Sequence, residues 1–567
     1  MFEKLTQVLM NLWDNRDTET EVIKKRIKQY AGTGDPQKEF VEAEFNDWIG
    51  SEEYRQCLVA ERYAENKTDI LTRERYTFNG RGTKVKSKLS NTRRAYAFYR
   101  DVLSQRVRYL LARPFSIGTQ LEGGDGLSLA LKPYITQGFR QKIKRLGKLA
   151  VQDGIAWMHP VYDEAGQLTF QVLPKKCVIP FWADEEHTIL DAVIRWYTVE
   201  VYTGKVSPEA VVEKAGKRQK VLTDGDGKYT VTKLEFHTPE GVWFYQMGQN
   251  GDIEVDPDKN AIDEQGKLIE KQQSPFTLTV PKMNDKDEQE LDQDGNPVFD
   301  TVEATWGRVP FIAFKASSDE VDLASQIKSL CDDYDVEASD LANLFKDQPE
   351  SIKVVKDYDG MDHEDFLQKL ADYRTAFVSG TGDLKVLSDV IQAANVYVDL
   401  LELRKDIYHF GGAIDYRVTN FGNATGVGLK FLYGKLDSFS QDMADEFNAS
   451  WEQLVWFIKQ DIMLHGGQDF SEVESRIEFN VDQIINETET IQNVNASLGV
   501  ISRKTAVGAH PWVENVDEEI AAVDEEDEQA LERETKKLEL QSKAYGFPLG
   551  DEGSQVNPAD NAGEEEE

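Results

Sequence analysis

Residues 426–465, GVGLKFLYGKLDSFSQDMADEFNASWEQLVWFIKQDIMLH, decide the fold. Leu432, Leu436, Phe439, Met443, Phe447, Trp451, Leu454, Ile458 and Ile462 recur every three or four positions. That period predicts one helix, roughly 55–60 Å long at 1.5 Å rise per residue. The usual helix has about three turns, so one this long needs several neighbours to pack against.

The chain before it reads as a pair of helices around an insertion. Leu323, Ile327, Leu330, Tyr334, Leu341 and Phe345 recur at spacings of three, four or seven, predicting a helix roughly 34 Å long. Off this stripe stand Asp332, Asp333, Asp335 and Asp340, with Glu337 at its edge. A compact segment, 346–393, follows, with a strand at 352–355, a helix at 362–373 and a Gly-rich turn at 380–383. Val396, Leu400, Leu403, Ile407 and Phe410 then mark a returning helix, stopped by Gly411-Gly412. Residues 413–425 read as a loop, with Asn420-Phe421-Gly422-Asn423 near its end.

Upstream, 117–314 reads mostly as strand, an α+β lobe. Strand-like runs stand at 170–173, 192–201, 242–245 and 276–280, interrupted by one helix near 138–151. The longest acidic loop is 284–297. Residues 1–113 read as largely helical. Asn91-Thr92 is placed to cap a helix with the stripe Tyr96, Tyr99, Leu103, Val107 and Leu110, ended by Pro114. Arg94 and Arg108 lie opposite the stripe, and Arg93, Arg100 and Arg106 flank it. In so acidic a chain, pairing between subunits or domains is favoured over a nucleic-acid patch. Downstream come a strand at 476–481, helical segments at 487–498 and 502–510, and an acidic stretch from Asp517. Its last part, 546–567, has a disordered composition.

The 567 residues exceed one compact core. With 65 basic against 102 acidic residues the formal charge is −37, which argues against a surface built to hold nucleic acid tightly. Cys57, Cys177 and Cys331 make no disulfide framework and no metal pair, which fits a reducing compartment. No leader peptide and no bilayer-spanning run is expected.

The sequence carries no complete catalytic motif. Gly80-Arg81-Gly82-Thr83-Lys84 and Gly225-Asp226-Gly227-Lys228 lack the spacing by which a phosphate-binding loop wraps its ligand. Glu290 to Gly295 begins like a calcium loop, but its twelfth position is Thr301, so it reads as an acidic turn. The seven histidines have no zinc spacing, and His409 reads as solvated or interfacial. No catalytic, cofactor or metal residue is assigned. A metal-dependent nuclease or hydrolase using clustered carboxylates, and an acidic non-ring capsid scaffold, stay open as alternatives.

Short motifs then give a resemblance. Asn91 to Tyr96 leads into Tyr109-Leu110-Leu111-Ala112-Arg113-Pro114. Arg308-Val309-Pro310-Phe311, Ile327-Lys328-Ser329-Leu330 and Asp333-Tyr334-Asp335 follow in order, then Asn423-Ala424-Thr425-Gly426-Val427-Gly428-Leu429-Lys430. Together with the helix order, this resembles the portal proteins of tailed bacteriophages of the long, non-contractile-tail type.

The resemblance implies an α+β, ring-forming portal fold without enzymatic activity or cofactor. An N-terminal helical region (1–116) and a lobe (117–322) would make the wing. The stem would be 323–345 and 394–412, with a small α/β clip (346–393) between them. A tunnel loop (413–425), the long wing helix (426–465), a strand return (466–485), a helical crown (486–545) and an acidic tail (546–567) would complete it. The ring would be dodecameric, at the capsid vertex of a virion assembled in the host cytoplasm. Double-stranded DNA would pass through it, weakly and non-specifically bound. Implied partners are the terminase large subunit, scaffolding and major capsid proteins and a head-completion adaptor, with no membrane. On this reading Asp415, Arg417, Asn420, Phe421, Asn423 and Thr425 lie near DNA. Arg417 either approaches phosphate or pairs with Asp415 or a neighbouring subunit. Asp332, Asp333, Asp335, Glu337 and Asp340 either line the channel or only solvate a helix. Lys353, Lys356, Asp357 and Asp359 would serve docking at the clip.

Overall fold

The computed structural model describes residues 21–30, 35–78, 84–86, 89–119, 124–163, 165–202, 209–214, 217–222, 227–248, 251–260, 271–281, 299–347, 352–356, 383–387, 393–417, 426–480, 487–513 and 516–545. They fall into two compact units, Met1–Gln483 and Ile484–Glu567.

In the first unit the helices are α1 (Glu21–Lys28), α2 (Pro36–Gly50), α3 (Glu52–Ala64), α4 (Phe98–Leu111), α5 (Gly124–Leu131), α6 (Gln137–Asp153), α7 (Leu323–Asp347), α8 (Ala393–Phe410) and α9 (Gly426–Leu464). The deepest core lies along α9. Met443, Phe447, Trp451, Leu454 and Ile458 are fully buried, the same side chains whose spacing marks the helix. They meet α6, whose Phe139, Ile143, Leu146 and Ala150 form its own buried stripe. Gly147 lets Leu111 and Met443 close over α6, because a Cβ there would collide with the Leu111 side chain. Gly154 ends α6 at φ +82°, a left-handed turn that suits glycine, and a Cβ would also strike the Glu320 carbonyl.

The strands begin with a short hairpin, β1 (Tyr76–Phe78) and β2 (Lys84–Lys86), followed by β3 (Ser116–Thr119). The hairpin interrupts a region that is otherwise largely helical among the described residues. Then come β4 (Ile155–Tyr162), β5 (Leu168–Pro174), β6 (Val178–Trp182), β7 (Leu190–Tyr202), β8 (Glu209–Lys214), β9 (Lys217–Leu222), β10 (Lys228–Thr238), β11 (Gly241–Met247) and β12 (Ile253–Val255). After them stand β13 (Phe276–Pro281), β14 (Phe299–Ala304), β15 (Ile312–Lys315), β16 (Ile352–Lys356), β17 (Asp383–Leu387) and β18 (Ser475–Glu478).

An antiparallel sheet in the order β15-β4-β5 packs on α6 and α9, with Trp157 opposite Leu173 and Ala313. A second, β12-β11-β10-β7-β6, is covered by α2, where Phe40 meets Phe181 and Phe236 at 5.4 and 5.9 Å. Trp157, Val178, Val193 and Phe311 join the two sheets. β18 returns to pair with β3, and Trp451 Nε1 donates to Ser475 beside it at 3.1 Å. This is a mixed α and β architecture.

The second unit holds α10 (Glu487–Ser497), α11 (Arg503–Gly508) and α12 (Val516–Tyr545). Arg503 bridges Asp524 and Asp527 of α12 at 2.9 and 3.1 Å. Among the described residues no helix is long and apolar enough to cross a membrane.

Candidate functional site

The candidate site is the antiparallel hairpin of α7 and α8. Its direction follows from three levels of contact. Arg106 donates to Gln326 of α7 and to the Gly411 carbonyl just beyond α8, at 2.8 and 2.6 Å. One level on, Phe98 packs edge-on against Tyr334 and Tyr408. Farther along, Glu337 faces Asp399. The last turn of α7 and the first turn of α8 therefore lie at the same end of the hairpin.

One face of α7 is held by an extended segment, 91–96. Its alternate backbone N–H groups donate to side chains one helical turn apart. Thr92 N reaches Asn343 at 2.7 Å, Arg94 N reaches Ser339 at 3.0 Å and Tyr96 N reaches Asp335 at 2.9 Å. Two extended residues span roughly 6.6 Å and four helical residues roughly 6 Å, so the two repeats keep step. Asp335, Ser339 and Asn343 are all buried, Asp335 completely. Asp335 also accepts from Thr68 Oγ1 at 2.8 Å. Burial pushes its carboxyl up to about 6, against the pull of the two donors.

This corrects two expectations. The helix placed at Asn91 begins at Phe98, because Thr92, Arg94 and Tyr96 spend their N–H groups on α7. The acidic face of α7 is also narrower than the sequence suggests. Asp335 is interior. Asp332 accepts from Tyr63 Oη at 2.5 Å and from Lys328 at 2.6 Å. Asp340 takes a bidentate bond from Arg73 at 3.0 and 2.9 Å. Asp333 stays exposed, and Glu337 is half-buried against α8. Burial and the facing Asp399 raise the Glu337 carboxyl above its ordinary range, with Asp333 adding to the effect. The outer end of the hairpin carries Leu344, Phe345, Tyr397 and Val398, 45 to 60% exposed.

The loop after α8 is anchored at its start. Gly411 has no room for a side chain, since a Cβ would lie 2.6 Å from the Ile407 carbonyl and 2.9 Å from Val102. Gly412 follows at φ +60°. Asp415 is buried and accepts from Arg404 Nε and Nη2 at 2.5 and 2.6 Å. Burial raises the Asp415 carboxyl, but Arg404 outweighs it and leaves the group below the usual carboxylate range. Pairing with Asp415, one of the alternatives open for Arg417, is made by the Arg404 side chain. Arg417 contributes its backbone N–H at 3.0 Å, and its side chain is exposed. Asn420, Phe421, Asn423 and Thr425 lie outside the described residues. Lys353 and Lys356 belong to β16, paired with β17, while Asp357, Asp359 and the helix expected at 362–373 lie outside, as do the acidic turn 284–297 and the tail 546–567.

The arginines of α4 and its approach are partly spent inside the chain. Arg93 reaches Glu74 at 3.0 Å and the Leu71 carbonyl at 2.9 Å. Arg106 is buried, 4.0 Å over the Phe439 ring. His409 meets Lys435 at 2.9 Å, an interfacial contact with α9. Ser339, Asn343 and Arg404 were not singled out from the sequence. The polar repeat Asp335, Ser339, Asn343 on a helical period was the available signal.

A pocket of about 180 Å³ between α3, α6 and α7 is lined by Glu52, Glu53, Cys57, Asp153 and Asp322, with Lys175. Burial pushes Asp153 up to about 7, against a bond from Gln152 and the charge of Lys175. Among the described residues, no group of three or more His, Cys, Asp or Glu is placed to hold a metal ion.

The features brought together are a braced helical hairpin, an anchored loop and a long supporting helix, which is the make-up of a structural scaffold. A family model described as "Phage portal protein, SPP1 Gp6-like" matches residues 48–533. The portal protein of Bacillus phage SPP1 is 23% identical over 487 residues, covering 84% of this chain and 85% of that one. The portal protein of Clostridium phage phiCD119 is 24% identical over 478 residues, covering 82% and 91%. Among solved structures, the chain is similar to one in the neck of a native GTA particle computed with C12 symmetry. There the identity is 10%, the coverage 73% and 89%, and the TM-score 0.35. The chain belongs to the SPP1 Gp6-like family of phage portal proteins. Its role is that of a portal in DNA packaging.

Proposed function

We propose that twelve copies close into a ring at one capsid vertex, with the α7–α8 hairpins forming the stem of a channel for double-stranded DNA. The observation that carries this is the exposure of Leu344, Phe345, Tyr397 and Val398 on a hairpin otherwise braced within the chain. Clustered exposed apolar groups mark an interaction surface, and head-to-tail contacts that close by rotation give each copy a neighbour on both sides.

Asp333 and Glu337 of α7, with Asp399 of α8, supply the acidic side. Every phosphate neutralised by Lys or Arg adds affinity, so an acidic wall lets DNA slide. Segment 346–393 is the clip, where Lys353, Lys356, Asp357 and Asp359 dock the terminase large subunit and later the head-completion adaptor. The lobe 117–322, with 1–116 and the long helix α9, is the wing facing scaffolding and major capsid proteins, and 486–545 is the crown. Loop 413–425 approaches DNA, with Asn420, Asn423 and Thr425 as weak polar contacts and Arg417 as its cation. The particle is assembled in the host cytoplasm, and the force-generating ATPase is a separate protein.

Two variants test the reading. Phe345→Asp with Tyr397→Asp reduces rings to monomers in native mass spectrometry. Shortening Asn420–Asn423 lowers packaged DNA while rings persist. Intact rings in the first case, or normal DNA yield in the second, overturn the corresponding assignment.

A further inference from the structure

α6 is a basic helix in an acidic chain. It carries Arg140, Lys142, Lys144, Arg145 and Lys148 against one acidic residue, Asp153, which is buried. The chain as a whole has a net charge of −37. The buried stripe of Phe139, Ile143, Leu146 and Ala150 turns the opposite face outward. Gln141, Lys144, Arg145 and Lys148 are exposed there, and Lys142 is half-buried.

Among the described residues no acidic side chain forms an ion pair with Lys142, Lys144, Arg145 or Lys148. Glu65 lies within electrostatic reach of Lys148, but Lys67 already holds it at 2.6 Å. At the start of the helix a pocket of about 100 Å³ is lined by Arg113, Arg140, Gln141 and Lys144. Arg140 is fixed there, 4.9 Å over the Phe115 ring and bonded to the Phe115 carbonyl at 2.8 Å.

The character of the face selects its partner. Its exposed positions are Gln137, Gly138, Gln141, Lys144, Arg145 and Lys148, with no apolar side chain among them. A protein partner ordinarily needs aromatic or aliphatic anchors in pockets. A duplex phosphate backbone needs cations and polar donors and nothing apolar. We propose that the outer face of α6 docks the sugar–phosphate backbone of double-stranded DNA, independently of sequence. This is a second contact with DNA besides passage through a channel, and it stands whether or not copies close into a ring.

Covalently closed circular plasmid tests this, because it cannot thread a ring. Binding of the full-length protein is followed by gel retardation over a salt series, alongside K142Q/K144Q/R145Q/K148Q. Each phosphate contact contributes about −0.9 to the slope of log affinity against log salt. Losing two to four contacts therefore flattens the slope by about 2–4 and weakens binding about tenfold or more at low salt. K142R/K144R/K148R keeps the charges and retains binding. Equal plasmid binding by wild type and the glutamine variant overturns the proposal. So does polyglutamate competing as well as DNA, or a changed subunit count in the glutamine variant. Either result assigns the face to an acidic protein segment or a neighbouring copy.

Discussion

Asp335→Ala removes the acceptor that ties segment 91–96 to α7. Two donors lose their partner, the Tyr96 N–H at 2.9 Å and the Thr68 hydroxyl at 2.8 Å. A buried donor left unsatisfied costs about 1–3 kcal/mol. The Thr68 hydroxyl can rotate, but the Tyr96 N–H cannot. Relief of a desolvated carboxylate offsets part of the loss. The net destabilisation is about 2–4 kcal/mol. Asp335→Asn behaves differently. Its Oδ1 keeps Tyr96 and its Nδ2 meets a hydroxyl that can turn to accept, so the loss is about 1 kcal/mol or less.

The pH dependence has a definite sign. The folded carboxyl sits at about 6, above its ordinary 3.8. Between these values the folded chain holds more protons than the unfolded one, so stability falls as pH rises through the interval. Asp335→Asn removes that step and compares best with wild type above pH 6. The assay is hydrogen exchange at the amides of Thr92, Arg94 and Tyr96. In Asp335→Ala the Tyr96 amide loses protection by about thirtyfold or more, at 1.4 kcal/mol per tenfold. Unchanged protection in the alanine variant, or an asparagine variant as damaged as the alanine one, refutes the reasoning.

Asp415→Asn leaves the half-buried Arg404 without its counter-charge and destabilises by about 1–3 kcal/mol at neutral pH. Because the Asp415 carboxyl is lowered when folded, its contribution is present above about pH 4 and is lost as pH falls further, so thermal unfolding of variant and wild type converges in acid. Gly411→Ala forces its Cβ onto the Ile407 carbonyl and Val102, and lowers the melting temperature while circular dichroism keeps the helical signal. Asp153→Asn flattens the stability profile between about pH 4 and 7, where wild type loses stability as pH rises, seen in melts taken every half unit.

The elements legible in the sequence were those whose apolar period meets a continuous core. The α9 stripe from Met443 to Ile458 is buried as its spacing demands, and the strand runs at 170–173, 192–201 and 242–245 fall inside β5, β7 and β11. What failed was local reading overridden by distant partners. Asn91-Thr92 has the composition of a helix cap, yet residues 91–96 are extended because acceptors about 240–250 positions away satisfy them. Asp335 reads as a solvated charge, because Thr68 is 267 positions distant. Leu341 and Phe345 continue the apolar period of α7, but its buried side there is Ala338, Ser339, Ala342 and Asn343. Phe345 is left outward, at 55% exposure. At the candidate site the long helices and the Gly411-Gly412 stop were visible. The Arg404–Asp415 pair was not, since spacing alone does not choose between Arg404 and Arg417.

A ring whose channel is built from α7–α8 hairpins leaves a direct signature in images of the assembled particle. Cryo-electron microscopy of the purified full-length protein tests it most directly. The expected image is a closed ring, twelve-fold in the particle, with a central hole flanked by Asp333, Glu337 and Asp399. The exposed Phe345 and Tyr397 should be buried between copies. A monodisperse compact monomer, or a ring whose hole is bounded by other elements with these hairpins on its outside, would contradict it.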